Sequence, residues 1–464
     1  MWTALRSRWA FDALLIFLVT ILGMLLLIAN PGYFSHDELQ KLDHVGKYGF
    51  WHYISSYVVL VKGEGFGTPV RPISFFVQGV LALAMKDYPV LVHFVDVLTH
   101  GTVAVLAYSA LLRFAAPRVV ALGATIIFAL NPMAVIAVGW PAALMDRWYV
   151  LFGTGALLYA DSHVRGRSGW TAFGLIFVLT LAAILSKETA IMLPGLMLLF
   201  VLREPSALKS WRFWSAGAAM ALPALTYILY RLPAILASFE GGGSSSYIAS
   251  LGNISHGLLV YLAYPFLVTL TEAVNWVFVS PVLLSAALAT HLAIVAVLWR
   301  AAGWRVGSGY VFCYFLFLIP VLFIPIKAAH YLYASSIFFS IALSWMALGT
   351  AWCFSPRQLF SCLALMLVLL HTFVLQGFMY RLGSCMNTTM TGIEAAHMTL
   401  GKPEAFEMRA EPGAPAHVLH RLSTGRDKVG DSYPVRMRVV DWDEPWTSEL
   451  PVLIMDHRCR VYVK

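Results

Sequence analysis

The chain has 464 residues, 59% of them hydrophobic and only 12% charged, with a mean hydropathy of +0.74. Soluble domains carry about 25% charged residues, so this composition excludes an ordinary soluble protein and predicts an all-α polytopic membrane protein whose first partner is the lipid bilayer. The formal charge of +8 reads as cationic cytoplasmic loops, and nucleic acid is excluded as a partner.

The first apolar run, "FDALLIFLVTILGMLLLIAN" at 11–30, is long enough to cross a hydrocarbon core of ~30 Å. It is too long for a cleaved signal peptide, and no small-residue cleavage site follows it. Arg6 and Arg8 precede it. They place the N-terminus in the cytoplasm and the next stretch, "YFSHDELQ" (33–40), on the opposite side.

The Lys/Arg bias then traces the topology. Cytoplasmic loops are expected at 113–118, 161–169, 203–212, 300–305 and 355–358. Outside loops are expected at 31–89, around Pro141, around Ser186 to Glu188, at 231–252 and around Lys327. About eleven spans satisfy this alternation: 10–30, 90–112, 119–138, 143–160, 170–185, 189–202, 213–230, 281–299, 308–325, 331–350 and 359–379. Residues 72–85 are too short to span comfortably, and 254–271 would break the alternation. Both read as helices lying at the outer surface or re-entering it.

After about Leu382 the composition changes: from Gly401 onward 20 of 64 residues are charged. The chain is therefore divided into a transmembrane unit, 1–381, and a small soluble α+β unit, 382–464, on the outer side. "YPVRMRVVDW" and "PVLIMDHRCRVYVK" alternate and are Val-rich, which predicts short strands. Cys313, Cys353 and Cys362 fall in membrane helices. Cys385 and Cys459 fall in or beside the outer tail, where a bridge between them is expected in an oxidising compartment such as the periplasm, two unpaired thiols being the alternative. "GEGFG" (63–67) lacks the strand and helix of a phosphate-binding loop, and "GGGSSS" (241–246) reads as a flexible loop.

Charge beside hydrocarbon is costly, so each boundary charge is a functional candidate. Asp37, Glu38, Arg71, His93, Asp146, Arg147, Lys187, Glu188, Lys327 and His330 all map to the outer side. Carboxylates and cations together suit a general base and a clamp for an anionic, membrane-bound substrate. Asp37 is the base candidate, or else a helix cap or polar flank. Arg71 is a clamp or a headgroup-snorkelling residue. Lys187 is a phosphate ligand or the ion-pair partner of Glu188. Lys327 and His330, at i, i+3, are read on one helical face, followed by Tyr331, which is a site residue or part of an interfacial belt. His93 and His100 read as ligands or as buried hydrogen-bonding histidines. Asp146 and Arg147 read as a local ion pair.

The order of these motifs resembles the GT-C glycosyltransferases, in particular the transmembrane-and-TPR O-mannosyltransferases and their bacterial relatives. Asp37-Glu38 matches the acidic pair of the first outer loop. "VRPIS" (70–74) matches a Tyr-Arg-Pro-Leu element, with Val70 in place of Tyr. "HFVDVLTH" (93–100), "NPMAVIAVGWPAALMDRW" (131–148), "LSKETAIMLP" (185–194) and "KAAHYLYASS" (327–336) follow in order. Asn131 stands where the family has His, His330 where it has Arg, and the TPR repeats are absent. The resemblance covers roughly 10–380.

That resemblance implies a polyprenyl-phosphate-linked sugar donor and transfer at the periplasmic face of a bacterial inner membrane. The acceptor hydroxyl would lie on a glycan, a lipid-linked glycan or lipopolysaccharide, or a Ser/Thr of an exported protein such as a pilin. Asp37 would be the base, Glu38 its supporting carboxylate, and Arg71, Lys187, Lys327, His330, Tyr331, Arg147 and His93 the donor-binding set. No cofactor is required, although some relatives bind a divalent ion, which here would fall to Asp37 and Glu38. Two other classes stay open: a polymerase or ligase using diphosphate-linked glycans, and a transporter or flippase for lipid-linked sugars. The first typically relies on an arginine-rich outer loop. The second should carry polar groups through the midplane and internal repeats.

Overall fold

A computed structural model describes residues 2–33, 35–57, 71–85, 88–239, 248–266, 281–348, 356–430, 432–446 and 449–464. Val70, "GEGFG", "GGGSSS", Cys353 and the end of the 254–271 stretch lie outside the described residues.

The chain is mostly helix. The first helix, α1 (Trp2–Gly23), breaks at Met24 and resumes as α2 (Leu25–Ile28). Two helices follow in the first loop, α3 (His36–Tyr48) and α4 (Phe50–Tyr57), and α5 (Pro72–Met85) is short, as expected. The bundle continues with α6 (Pro89–Arg113), α7 (Arg118–Ala129), α8 (Pro132–Gly139), α9 (Leu144–Val164) and α10 (Thr171–Ser186). Then come α11 (Leu198–Arg203), α12 (Trp211–Phe239), α13 (Asn253–Ala263), α14 (Pro281–Ala302), α15 (Trp304–Leu316), α16 (Ile319–Leu322) and α17 (Tyr333–Leu348).

Among the described residues, five helical stretches are long and apolar enough to cross a bilayer, or six if the bent pair α7–α8 counts as one. Of the other crossings expected from the sequence, 143–160 falls on one unbroken helix of 21 residues, α9, and the rest coincide with shorter or broken helices, with proline explaining three of the breaks. Asn131 caps α8, accepting from the Met133 N–H at 3.0 Å, with Pro132 at the first helical position. The preceding helix cannot run through that proline, and the pair bends by 52°. Pro194 lies inside a 3-10 segment, Glu188–Met197, where a continuous α-helix was expected, and Pro320 falls at the restart of α16. Small residues bring the helices close: a methyl at Gly123 would lie 2.7 Å from Ser344 Oγ of α17, and that hydroxyl donates to the Val120 carbonyl at 2.8 Å.

The last membrane helix departs from the expected boundary. α18 (Pro356–Thr399) runs for 44 residues without a break, about 66 Å at 1.5 Å per residue and roughly twice the thickness of a hydrocarbon core. The division at 381/382 therefore lies inside a helix. No proline interrupts the polar stretch after Leu382, and the helix stops only near Gly401, whose φ is +77°. Beyond it, β1 (Ala405–Ala410), α19 (His417–Gly425), β2 (Arg436–Val439), β3 (Val452–Met455) and β4 (Val461–Val463) form a small unit. The sheet order is β2-β1-β3-β4, with β1 parallel to β2 and β3, and β4 antiparallel to β3. Phe406 and Met408 join Leu419 and Leu422 of α19 in the core. Cys385 of α18 and Cys459, just before β4, are joined in a disulfide, the expected pair.

This bridge spans a sequence separation of 74. Closing such a loop restricts the unfolded chain by about 4 kcal/mol. The Cys385→Ser/Cys459→Ser variant is therefore expected to release fragments from 400–464 in limited proteolysis under conditions where the native chain stays intact, with the membrane helices uncut.

The small unit rests on α3. Gly425 packs so closely that a methyl there would meet Leu39 Cβ at 2.9 Å and the His36 backbone at 3.0 Å. Gln40 Nε2 donates to the Thr424 carbonyl at 3.1 Å. Buried Asp43 accepts from Arg426 Nε at 3.2 Å and from the Asp427 N–H at 3.4 Å, with Lys47 at 3.5 Å. Lys47 also pairs with Asp427.

Candidate active site

Ser35 starts α3 with a capping box. Its hydroxyl accepts from the Asp37 N–H at 3.3 Å, and its own N–H donates to Glu38 Oε2 at 3.1 Å. The cap divides the two acids. Glu38 is buried and turned back onto its own helix start. The Asp37 side chain is 41% exposed, with His36 Nε2 at 3.4 Å. Glu38 thus serves the helix that carries Asp37, and His36, which the sequence left without a role, stands beside the base candidate. Two acids diverging in this way do not form a chelating pair. Among the described residues no group of three or more His, Cys, Asp or Glu side chains converges on one point.

Around this end of the bundle lie three ion pairs. Arg71 donates through Nε to both oxygens of Glu188, at 3.0 and 2.8 Å. Lys187 pairs with Asp146, and Arg147 with Asp96 on α6, all four deeply buried. The expected pairings of neighbours, Lys187 with Glu188 and Asp146 with Arg147, do not form, because consecutive residues point in different directions. Lys187 also lies over the Tyr331 ring at 4.7 Å. His330 packs edge-on against Trp140 at 5.1 Å and beside Tyr331 at 4.3 Å.

Arg71, Lys187, His330 and Tyr331 are therefore brought together, joined by Asp146 and Glu188. Arg147 is placed differently: it donates to the Ala137 and Val138 carbonyls and ties α9 to α6 and α8. His93 donates through Nε2 to the Gly32 carbonyl at 3.1 Å, anchoring the segment that leads into α3. His100 meets the Tyr333 hydroxyl at 2.8 Å. Both are buried hydrogen-bonding histidines. Lys327 departs from the expected shared face with His330, because the 3-10 turn Ala329–Leu332 begins after it and Ala328 is extended. Its ammonium is directed to the Leu322 carbonyl at 3.2 Å and against Gly257.

Lys41 belongs to none of the sequence motifs. It lies one turn after Asp37 on the same helical face, over the Phe75 ring at 5.3 Å, within electrostatic reach of Asp37, Glu38 and Arg71. It therefore links the α3 acids to the cation cluster, and its i, i+4 spacing from Asp37 was the signal in the sequence that could have marked it. Burial pushes Lys41 down to about 8, against the pull of Asp37. Burial brings Lys327 to about 8 as well. Each loses its charge as pH rises through that value. Transfer is expected to fall above pH ~8, and Lys41→Arg, which keeps the charge, is expected to move this limb of the pH–rate profile upward. A limb left in place by Lys41→Arg would show that Lys41 does not set it.

Below the cluster lies an apolar cavity of about 360 Å³. Tyr149, one turn beyond Asp146 on α9, lines it, as do Leu193, Phe317 and Ala334. Arg203 and Arg305 line it as well.

No family model matches the chain, and neither does any curated protein. Solved structures do. This chain is similar in fold to an arabinofuranosyltransferase. That protein is AftD from Mycobacteria, at 16% identity and a TM-score of 0.49, covering 94% of this chain and 32% of that one. The chain thus spans about a third of its length. A second similar structure is ArnT from Cupriavidus metallidurans bound to undecaprenyl phosphate, at 15% identity and a TM-score of 0.41, covering 98% of this chain and 93% of that one. Both scores lie below 0.5, so the functional reading rests on this chain's own residues.

Proposed function

We propose that the chain is a GT-C-type membrane glycosyltransferase that moves a sugar from a polyprenyl-phosphate carrier to an acceptor hydroxyl, with Asp37 as general base. The observation that carries this reading is the pairing of two cations, Arg71 and Lys187, with His330 beside them, in reach of Lys41 and the half-exposed Asp37, and one turn of α9 away, at Tyr149, the apolar cavity. A lipid-linked donor needs that arrangement: a lodging for its tail, cations at its phosphate and a base at the far side of its sugar.

In this reading Asp37 takes the proton of the acceptor hydroxyl as its oxygen bonds to the anomeric carbon. The bond from that carbon to the carrier phosphate breaks, and the electron pair leaves with the phosphate. The configuration inverts, because attack and departure are on opposite faces. The developing charge needs preorganised donors. Lys187 gives one N–H to Asp146, which leaves two of its three for the phosphate. Arg71 engages Glu188 through Nε and donates through Nη1 to Met145 Sδ, which leaves Nη2 for the phosphate. The acceptor hydroxyl belongs to a glycan, a lipid-linked glycan or lipopolysaccharide, or an exported protein.

The site is assigned to the periplasmic face of a bacterial inner membrane, with about eleven crossings. Alkaline phosphatase fused at 165 should be silent and at 390 active; the reverse would overturn the placement. The decisive test is to delete the gene in its host and weigh the surface glycans and exported glycoproteins. Loss of a sugar mass supports transfer and names both sugar and acceptor. Unchanged glycans would remove the proposal.

A further inference from the structure

Asp37, Lys41, His44 and Tyr48 recur at intervals of four, three and four along α3. At 3.6 residues per turn they fall on one face, and Tyr48 lies three turns, about 16 Å, from Asp37. The far end of this face is a ring cluster. His44 stacks on His52 of α4, with centroids 5.3 Å apart and planes at 21°. Tyr48 packs against both His44 and His52 at 5.0 Å.

The small C-terminal unit completes the cluster. The Tyr433 hydroxyl meets the Tyr48 hydroxyl at 3.1 Å, and Lys47 lies over the Tyr433 ring at 4.4 Å. Tyr48 and Tyr433 are each about half exposed. The two halves are held in register from beneath by the Asp43, Arg426, Asp427 and Lys47 ion cluster.

We propose that this strip is an extended acceptor subsite for an oligosaccharide, with Tyr48, His52 and Tyr433 holding the chain while its terminal hydroxyl sits at Asp37. The proposal rests on the transfer reading above and names its acceptor class. The chemistry is that of sugar recognition. A sugar ring presents a face of C–H bonds that packs flat on an aromatic ring, and its hydroxyls reach phenol and imidazole edges. Among the described residues the strip offers neither a strand edge nor a deep apolar pocket, which extended peptides use. Its length exceeds what a mono- or disaccharide can bridge, so the site favours a longer glycan.

The test uses the full-length protein in nanodiscs of zwitterionic lipid. The probe is the neutral oligosaccharide pool released from the host envelope and separated by size. Saturation-transfer NMR should show sugar C–H protons receiving magnetisation from the protein, weakly in the mono- and disaccharide fractions and strongly from the tetrasaccharide upward. Tyr48→Ala/Tyr433→Ala should weaken binding about tenfold, since two stacking contacts are lost, while Tyr48→Phe/Tyr433→Phe should keep most of it. No magnetisation transfer to any fraction, equal transfer to monosaccharides, or binding unchanged in the double alanine variant would overturn the proposal. Failure of the glycosyltransferase reading would show separately, as intact glycans in the deletion strain alongside intact oligosaccharide binding.

Discussion

Asp37→Asn is expected to lower sugar transfer by about two to four orders of magnitude, the usual contribution of a positioned general base, while leaving the yield of folded protein unchanged. The amide keeps the shape of the carboxylate and cannot take the acceptor proton. Little stability is at stake, because the Asp37 side chain is 41% exposed and its ion-pair partner is the adjacent, equally exposed His36. A first-turn charge is worth only about 0.3–1 kcal/mol at the surface. Glu38 supplies the internal comparison. Glu38→Gln retains an oxygen to accept from the Ser35 N–H, so the capping box survives and transfer should stay within a few-fold of the native rate. Glu38→Ala removes the cap at a cost of about 1 kcal/mol and should lower transfer by loosening the first turn of α3. Transfer by purified protein, normalised to the monodisperse peak in size-exclusion chromatography, measures all three. Normal turnover by Asp37→Asn would end the base assignment, and a Glu38→Gln variant as dead as Asp37→Asn would make Glu38 a chemical partner.

Much of this was legible in the sequence, and the limits follow local physics. The Ser-His-Asp-Glu start of α3 was visible as a polar break after a long apolar run, and both predicted strand regions near the C-terminus formed strands. Strand β1 was missed although "FEMRA" alternates apolar and polar residues, because Ala, Glu, Met and Arg are good helix formers and Ala and Glu are depleted in strands. Phe406 and Met408 face α19, while Glu407 and Arg409 are buried on the opposite face, where Arg409 donates to the Asp441 and Glu444 carbonyls at 3.0 and 2.7 Å. The long α18 was divided too early because a change from apolar to polar composition marks the membrane surface, not the end of a helix. Ion pairing was the least legible feature. Sequence neighbours were read as partners, whereas the pairs that form join residues 41, 51 and 117 positions apart. Only the packing of α6, α9, α10 and the start of α5 brings those groups together.

Those long-range pairs make Lys187 the residue whose role most needs separating from its neighbour's. Lys187→Met leaves Asp146 buried without its ion-pair partner, which costs up to about 3–5 kcal/mol, offset in part by the more distant Arg71 and Arg147. Loss of transfer in that variant alone would therefore report instability as readily as a missing phosphate ligand. The double variant Asp146→Asn/Lys187→Met removes both charges together. Replacing a buried pair by neutral side chains of similar size is often neutral in stability, so the double variant is expected to recover most of the thermal resistance lost in the single one. Its transfer should stay at least about a hundredfold down, the scale on which a donor aimed at developing charge contributes. The two quantities to measure are the folded fraction surviving a heat step and the rate per folded molecule. Recovery of both in the double variant would make Lys187 a structural partner of Asp146, leaving Arg71 and His330 to meet the phosphate. Recovery of stability alone would place the Lys187 ammonium at the leaving group.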